Sequence, residues 1–119
     1  MRVVKLASGL LLVSAALIWE GPALPADKPT RFWNLTSSAV IDFRLAPAGT
    51  GEFGENQCLN DKDAEVDHDE RLQVTGVKTG HYDARIGFPG GRVCAAKNLS
   101  IESGEVFSVE DKDLVDCSK

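Results

Sequence analysis

The chain has 119 residues, with 13 basic and 18 acidic side chains and a formal net charge of −5. That balance argues against nucleic acid and anionic lipid as partners, because both are drawn to Lys/Arg patches, and no stretch of this chain clusters basic residues. A hydrophobic content of 43% over this length suits one small domain with a modest core.

Arg2 and Lys5 precede an apolar run from Leu6 to Trp19, and Glu20-Gly21-Pro22-Ala23-Leu24-Pro25-Ala26 breaks it. A basic start, an apolar middle and a small-residue exit make a secretory signal peptide over residues 1–26, although Leu24 occupies a position that prefers a small residue. The run of 14 residues falls short of the roughly 20 that a membrane span needs. The expectation is a periplasmic or secreted protein with no stable membrane anchor after cleavage. Residues 27–119 then form one domain of 93 residues, with 11 basic against 17 acidic side chains.

Beyond residue 26 the sequence alternates with period 2 far more than with period 3.6. Arg31–Leu35 suits a short strand. In Ser38–Leu45, Ala39, Ile41, Phe43 and Leu45 share one face, with Val40 the exception, which reads as a half-buried strand. Pro47, Gly49, Gly51 and Gly54 break the chain. Leu72 and Val74 mark the next strand. Tyr82, Ala84, Ile86 and Phe88 alternate with His81, Asp83 and Arg85 to give the clearest one. Pro89-Gly90-Gly91 turns that strand into Arg92–Ile101 as a β-hairpin. A last strand spans Glu105–Glu110, with Phe107 and Val109 on one face. About six short strands with frequent turns predict an all-β fold, a small antiparallel β-sandwich or open barrel. Trp33, Phe43, Tyr82, Phe88 and Phe107, spread one per strand, read as core. Asn34-Leu35-Thr36 and Asn98-Leu99-Ser100 match glycosylation sequons.

Cys58, Cys94 and Cys117 all lie in the exported part, where pairing is favoured. Three thiols allow three single bridges. Cys94–Cys117 is preferred because a hairpin and a short tail separate the two; it would close about 24 residues and contribute roughly 3 kcal/mol. Cys58 is then unassigned, free or intermolecular. The alternative is three buried thiols packed as small apolar groups.

Residues 52–70 hold eight acidic side chains, Glu52, Glu55, Asp61, Asp63, Glu65, Asp67, Asp69 and Glu70, against Lys62. Such crowding repels unless water or a cation relieves it. Calcium is the natural cation. With Leu59 at position 1 of an EF-hand loop, Asp61, Asp63, Asp67 and Glu70 fall at positions 3, 5, 9 and 12. However, Leu59 supplies no oxygen, Ala64 replaces the glycine of position 6, and the flanks do not read as helices. These four carboxylates are therefore the candidate ligands of a calcium loop mounted between strands. The simpler reading is a solvated acidic loop, and a third is a docking surface for a basic partner.

No catalytic constellation is evident. His68 and His81 are the only histidines, and no Cys-x-x-Cys or Gly-x-Ser-x-Gly occurs. Gly49-Thr50-Gly51-Glu52-Phe53-Gly54 mimics a phosphate loop, but a proline turn precedes it and no helix follows. The expected function is a non-catalytic exported binding or interaction domain without a cofactor, its ligand or extracytoplasmic protein partner unspecified. Calcium binding through loop 61–70 is the alternative. A small hydrolase is a second, if folding sets His68 or His81 against a nucleophile.

Four short patterns carry a resemblance: Asn34-Leu35-Thr36, Ala46-Pro47, Phe53-Gly54-Glu55-Asn56 and Gly80-His81-Tyr82-Asp83-Ala84-Arg85. In them the chain resembles a group of small uncharacterised exported bacterial proteins with Asn-x-Thr, Trp-Gly-x-Asn and Gly-x-Tyr-Asp-x-Arg patterns. Phe53 departs from the tryptophan. The resemblance implies an all-β periplasmic domain and no activity.

Overall fold

Alternating apolar residues become strands wherever one face is covered, and here two sheets cover each other. A computed structural model describes residues 28–119, so the expected signal peptide lies outside the described residues. The strands are β1 (Thr30–Leu35), β2 (Asp42–Pro47), β3 (Arg71–Val74), β4 (Gly80–Gly87), β5 (Val93–Ile101), β6 (Val106–Glu110) and β7 (Val115–Ser118). Short 3-10 turns occupy Gln57–Asn60 and Asp111–Asp113. One sheet has the order β3-β1-β6 and the other β2-β4-β5-β7. The result is an all-β sandwich, not a closed barrel.

Phe32 and Phe107 are register partners on β1 and β6. Phe43 reaches them from the other sheet and stacks on Phe32 with ring centroids 4.0 Å apart. Phe107 lies 5.9 Å from Phe32 and 6.2 Å from Phe43. Burying each ring stabilises by roughly 1.5–3 kcal/mol, so this trio is the main fastening between the sheets. Trp33 corrects the expectation that every aromatic is core. It lies on the outer face of its sheet, with the Arg71 guanidinium 4.1 Å above the ring.

Three features differ from the sequence expectation. First, β1 and β6 pair in parallel while every other strand pair is antiparallel. The long connection between them travels through the opposite sheet, so β6 can return alongside β1 in the same direction. Second, the Ser38–Leu45 strand breaks. Val40 exchanges backbone hydrogen bonds with Val66, whereas the Ile41 amide donates to Gly87 on the other sheet. The chain changes sheets at this step, so the alternation reverses. Val40 is buried and Ile41 is 40% exposed. Third, a seventh strand, β7, lies at the C-terminus with all of its residues exposed.

Two bulges shape the larger sheet. Between Tyr82/Leu99 and Ala84/Ala96, Asp83 faces both Lys97 and Asn98, and Asn98 adopts φ +56°. Asp83 accepts from the Asn98 amide at 2.9 Å and from the Gly49 amide at 3.0 Å, so one carboxylate satisfies the bulge and ties down the loop after β2. Between β5 and β7, Cys94 faces Asp116 and Cys117, with Asp116 at φ +51°. Cys94 and Cys117 form a disulfide, as the sequence predicted. Cys58 is free and buried, which removes the intermolecular option for the folded chain.

Candidate binding cleft

The predicted acidic site does not gather. Val66 anchors the middle of the loop in the core through its bridge to Val40, and tight turns form on either side. Asp61 accepts from the Asp63 amide at 2.9 Å, and Glu70 accepts from the Asp67 amide at 2.9 Å. Asp69 accepts from Trp33 Nε1 at 3.0 Å. The carboxylates of Asp61, Glu70 and Asp69 thus serve the loop's own backbone and its neighbours. Among the described residues no group of three or more His, Cys, Asp and Glu is placed to hold a metal ion. Calcium binding by Asp61, Asp63, Asp67 and Glu70 would require the loop to rearrange. Repulsion persists locally: a hydrogen bond with Asp67, and then the charge of Asp67, hold the Glu65 carboxyl above the usual carboxylate range.

Cys58 and the two histidines are also apart in role. Cys58 Sγ lies 3.6 Å from the Val40 carbonyl, and burial, then the charges of Asp42, Asp61 and Glu65, push its thiol up to about 12. A ring nitrogen of His68, Nδ1, is 2.7 Å from the Thr36 carbonyl, so its proton is donated to the backbone. His81 is exposed on β4.

What the fold does build is a cleft beside the 3-10 turn at Gln57–Asn60. It is lined by Leu45, Pro47 and Tyr82, by Glu52, Gly54 to Gln57, Leu59 and Asn60, and by Thr75 to Lys78; its volume is about 490 Å³. Each wall is fixed by side-chain clamps. Asn56 caps the 3-10 turn by accepting from the Cys58 amide at 3.0 Å, and it also accepts from the Phe43 amide at 3.0 Å. That draws the wall against the free edge of β2. Gln57 pairs with both backbone groups of Thr75, donating at 3.0 Å and accepting at 3.0 Å. Asn60 donates to the Gln73 carbonyl at 2.9 Å. The amides of Gln57 and Asn60 thus cover the edge of β3 in place of another strand. Tyr82 Oη donates to the Lys78 carbonyl at 2.8 Å and accepts from the Lys78 amide at 3.2 Å, which sets the opposite turn.

These clamps occupy backbone groups along both edges that strand addition would otherwise use. The lining mixes apolar side chains, Leu45, Pro47, Leu59, Val77 and Tyr82, with polar ones, Asn56, Gln57, Asn60 and Thr75, and with the charges of Glu52, Glu55 and Lys78. Leu59 is 69% exposed and forms part of the lining. The lining includes neither histidine nor cysteine.

Sequence reading missed this site because its residues come from three separated segments. One signal was present. Leu59 is the apolar residue that spoils the calcium-loop pattern, and the structure shows it as the exposed lip of the cleft. The sequon at Asn34 has a structural role. Asn34 is fully buried, donating to the Ser38 carbonyl at 2.9 Å and the Val66 carbonyl at 2.8 Å. It accepts from the Thr36 amide at 3.0 Å, so the motif is a structural knot with no room for a glycan. Comparison with protein-family models, curated proteins and solved structures finds no match.

Proposed function

We propose that this chain is a non-catalytic exported binding domain that holds its ligand in the cleft between residues 52–60 and the Thr75–Lys78 turn. The observation that carries the reading is a rigidly clamped cleft with a large aliphatic side chain, Leu59, left on its lip. Preformed walls lower the ordering cost of binding, and a mixed apolar and charged lining sets orientation. The Cys94–Cys117 disulfide supports export, since such bridges persist in oxidising compartments. The cleft suits a ligand with an apolar body and a polar or charged end, such as a short peptide segment.

The test is amide chemical-shift mapping of the isotopically labelled chain against libraries of short peptides, saccharides and amphiphiles. The expected result is a set of saturable shifts confined to Gln57–Asn60, Thr75–Lys78 and Tyr82, and lost in Leu59→Asp. Ligands that shift other surfaces only, or no shifts from any library, would refute the assignment.

A further inference from the structure

The disulfide joins two cysteines of very different standing. Cys94 lies within β5 and is 1% exposed, part of the hydrophobic core. Cys117 lies on β7, where every residue is exposed. β7 matches β5 only at Val93↔Ser118 and Ala95↔Val115, with the bulge between. It adds no residue to the core. Beyond that pairing it is held by exposed contacts, the Lys97–Asp116 ion pair at 3.8 Å and the Ser118 hydroxyl donating to the Val93 carbonyl at 3.4 Å, and by the covalent bond. The Arg92 guanidinium stands 3.5 Å from Cys117 Sγ, on the exposed side of the bridge.

We propose that Cys94–Cys117 is a reducible clasp: a dithiol reductant releases β7 as a local event and bares the edge of β5, while the rest of the sandwich stays folded. The chemistry is thiol–disulfide exchange. One thiolate of the reductant attacks the accessible Cys117 Sγ. The S–S bond breaks, and its electron pair leaves on Cys94 Sγ, which takes a proton. The reductant's second thiolate then attacks its own sulfur in the mixed disulfide and expels Cys117 as a thiolate beside Arg92. The dithiol becomes a disulfide, and the protein gains two thiols. What opens is the β5 backbone around Val93 and Ala95, an edge of the kind that extended peptides join by strand addition.

The oxidised full-length chain, with and without dithiothreitol, is followed by hydrogen exchange and mass spectrometry, complete reduction being confirmed by a mass gain of about 2 Da, one hydrogen per sulfur. The expected result is exchange about tenfold or more faster at Val115–Ser118, Val93 and Ala95, with β1 to β4 and β6 within about twofold of the oxidised chain. Reoxidation should restore protection. The Cys117→Ser variant, which never forms the bridge, should show the same local pattern while the urea midpoint of the whole domain stays within the two-state folded range. Unchanged protection of β7 after complete reduction would overturn the clasp. So would acceleration across all strands, because the bridge would then be a staple for the whole fold.

Discussion

Replacing Asn34 by alanine tests whether the buried polar knot, more than any surface loop, holds the two sheets in register. The side chain donates twice, to the carbonyls of Ser38 and Val66, and accepts from the Thr36 amide. The Thr36 hydroxyl has one proton, placed between Asn34 Oδ1 at 2.6 Å and the Ser38 carbonyl at 3.0 Å. After truncation, Ser38 keeps that hydroxyl and the Val66 carbonyl keeps the Val40 amide, so neither is orphaned. The two lost donor bonds contribute about 1 kcal/mol each, and the stranded Thr36 amide costs about 1–3 kcal/mol more. The expected loss is about 3 kcal/mol or more, against a total of about 5–14 kcal/mol for a domain of this size. In urea unfolding followed by circular dichroism, the midpoint should fall with little change of slope. In a thermal scan Tm should drop by at least about 12 °C. Thr36→Val should couple to it by about 1 kcal/mol in a double-mutant cycle, reporting the shared hydroxyl bond. A loss below about 1 kcal/mol for Asn34→Ala would show that the knot is replaceable and the reasoning wrong.

Gly87 faces Asp42 across β2 and β4, and a Cβ there would sit 2.9 Å from Asp42 Cβ; Gly87→Ala should cost about 1–3 kcal/mol in the same urea assay, and wild-type stability would refute the contact. Cys58, pushed up to about 12 by burial first, should alkylate about a thousandfold more slowly at pH 8 in the folded chain than in urea, and rapid native labelling would contradict its placement. The Gly49 and Asn98 amides hold Asp83 below the usual carboxylate range, so its stabilisation is complete above the ordinary aspartate pKa and lost as pH falls through the lowered one; Asp83→Asn should flatten the acid limb of the stability curve. Glu65 has the opposite sign. Its stabilisation is complete below the ordinary glutamate pKa and lost as pH rises through the raised one, so Glu65→Gln should raise Tm at pH 7 and leave it unchanged at pH 3. Millimolar Ca²⁺ should shift Tm no more than Mg²⁺ does, whereas a calcium-specific rise abolished by Asp61→Ala/Glu70→Ala would restore the calcium loop.

The strands legible in the sequence were those with one covered face. Leu72/Val74, Ala84/Ile86 and Phe107/Val109 alternate because each sheet buries a single side, and period 2 records it. Alternation failed at Val40 and Ile41, because a chain that changes sheets changes which side is inward. β7 left no pattern, since no residue of Val115–Ser118 is buried. The cleft was not legible because its walls are joined by hydrogen bonds from amides, Asn56, Gln57 and Asn60, whose partners sit elsewhere in the chain. Local reading sees a polar loop there. Of the residues in the short patterns noted at the outset, Asn34, Asn56 and Asp83 each make clamps to residues distant in the chain.

The parallel contact between β1 and β6 sets a timetable for folding. Leu35 meets Glu110 across about 75 intervening residues, so the first strand to emerge from a ribosome or a translocation pore receives that neighbour almost last. At synthesis rates of about 5–20 residues per second, Phe32 waits about 4–15 s without Phe107 beside it. During that interval the Phe32 face of β1 lacks its β6 neighbour, the kind of exposed surface that holdase chaperones recognise, and this sheet is completed only after Val106–Glu110 has been made.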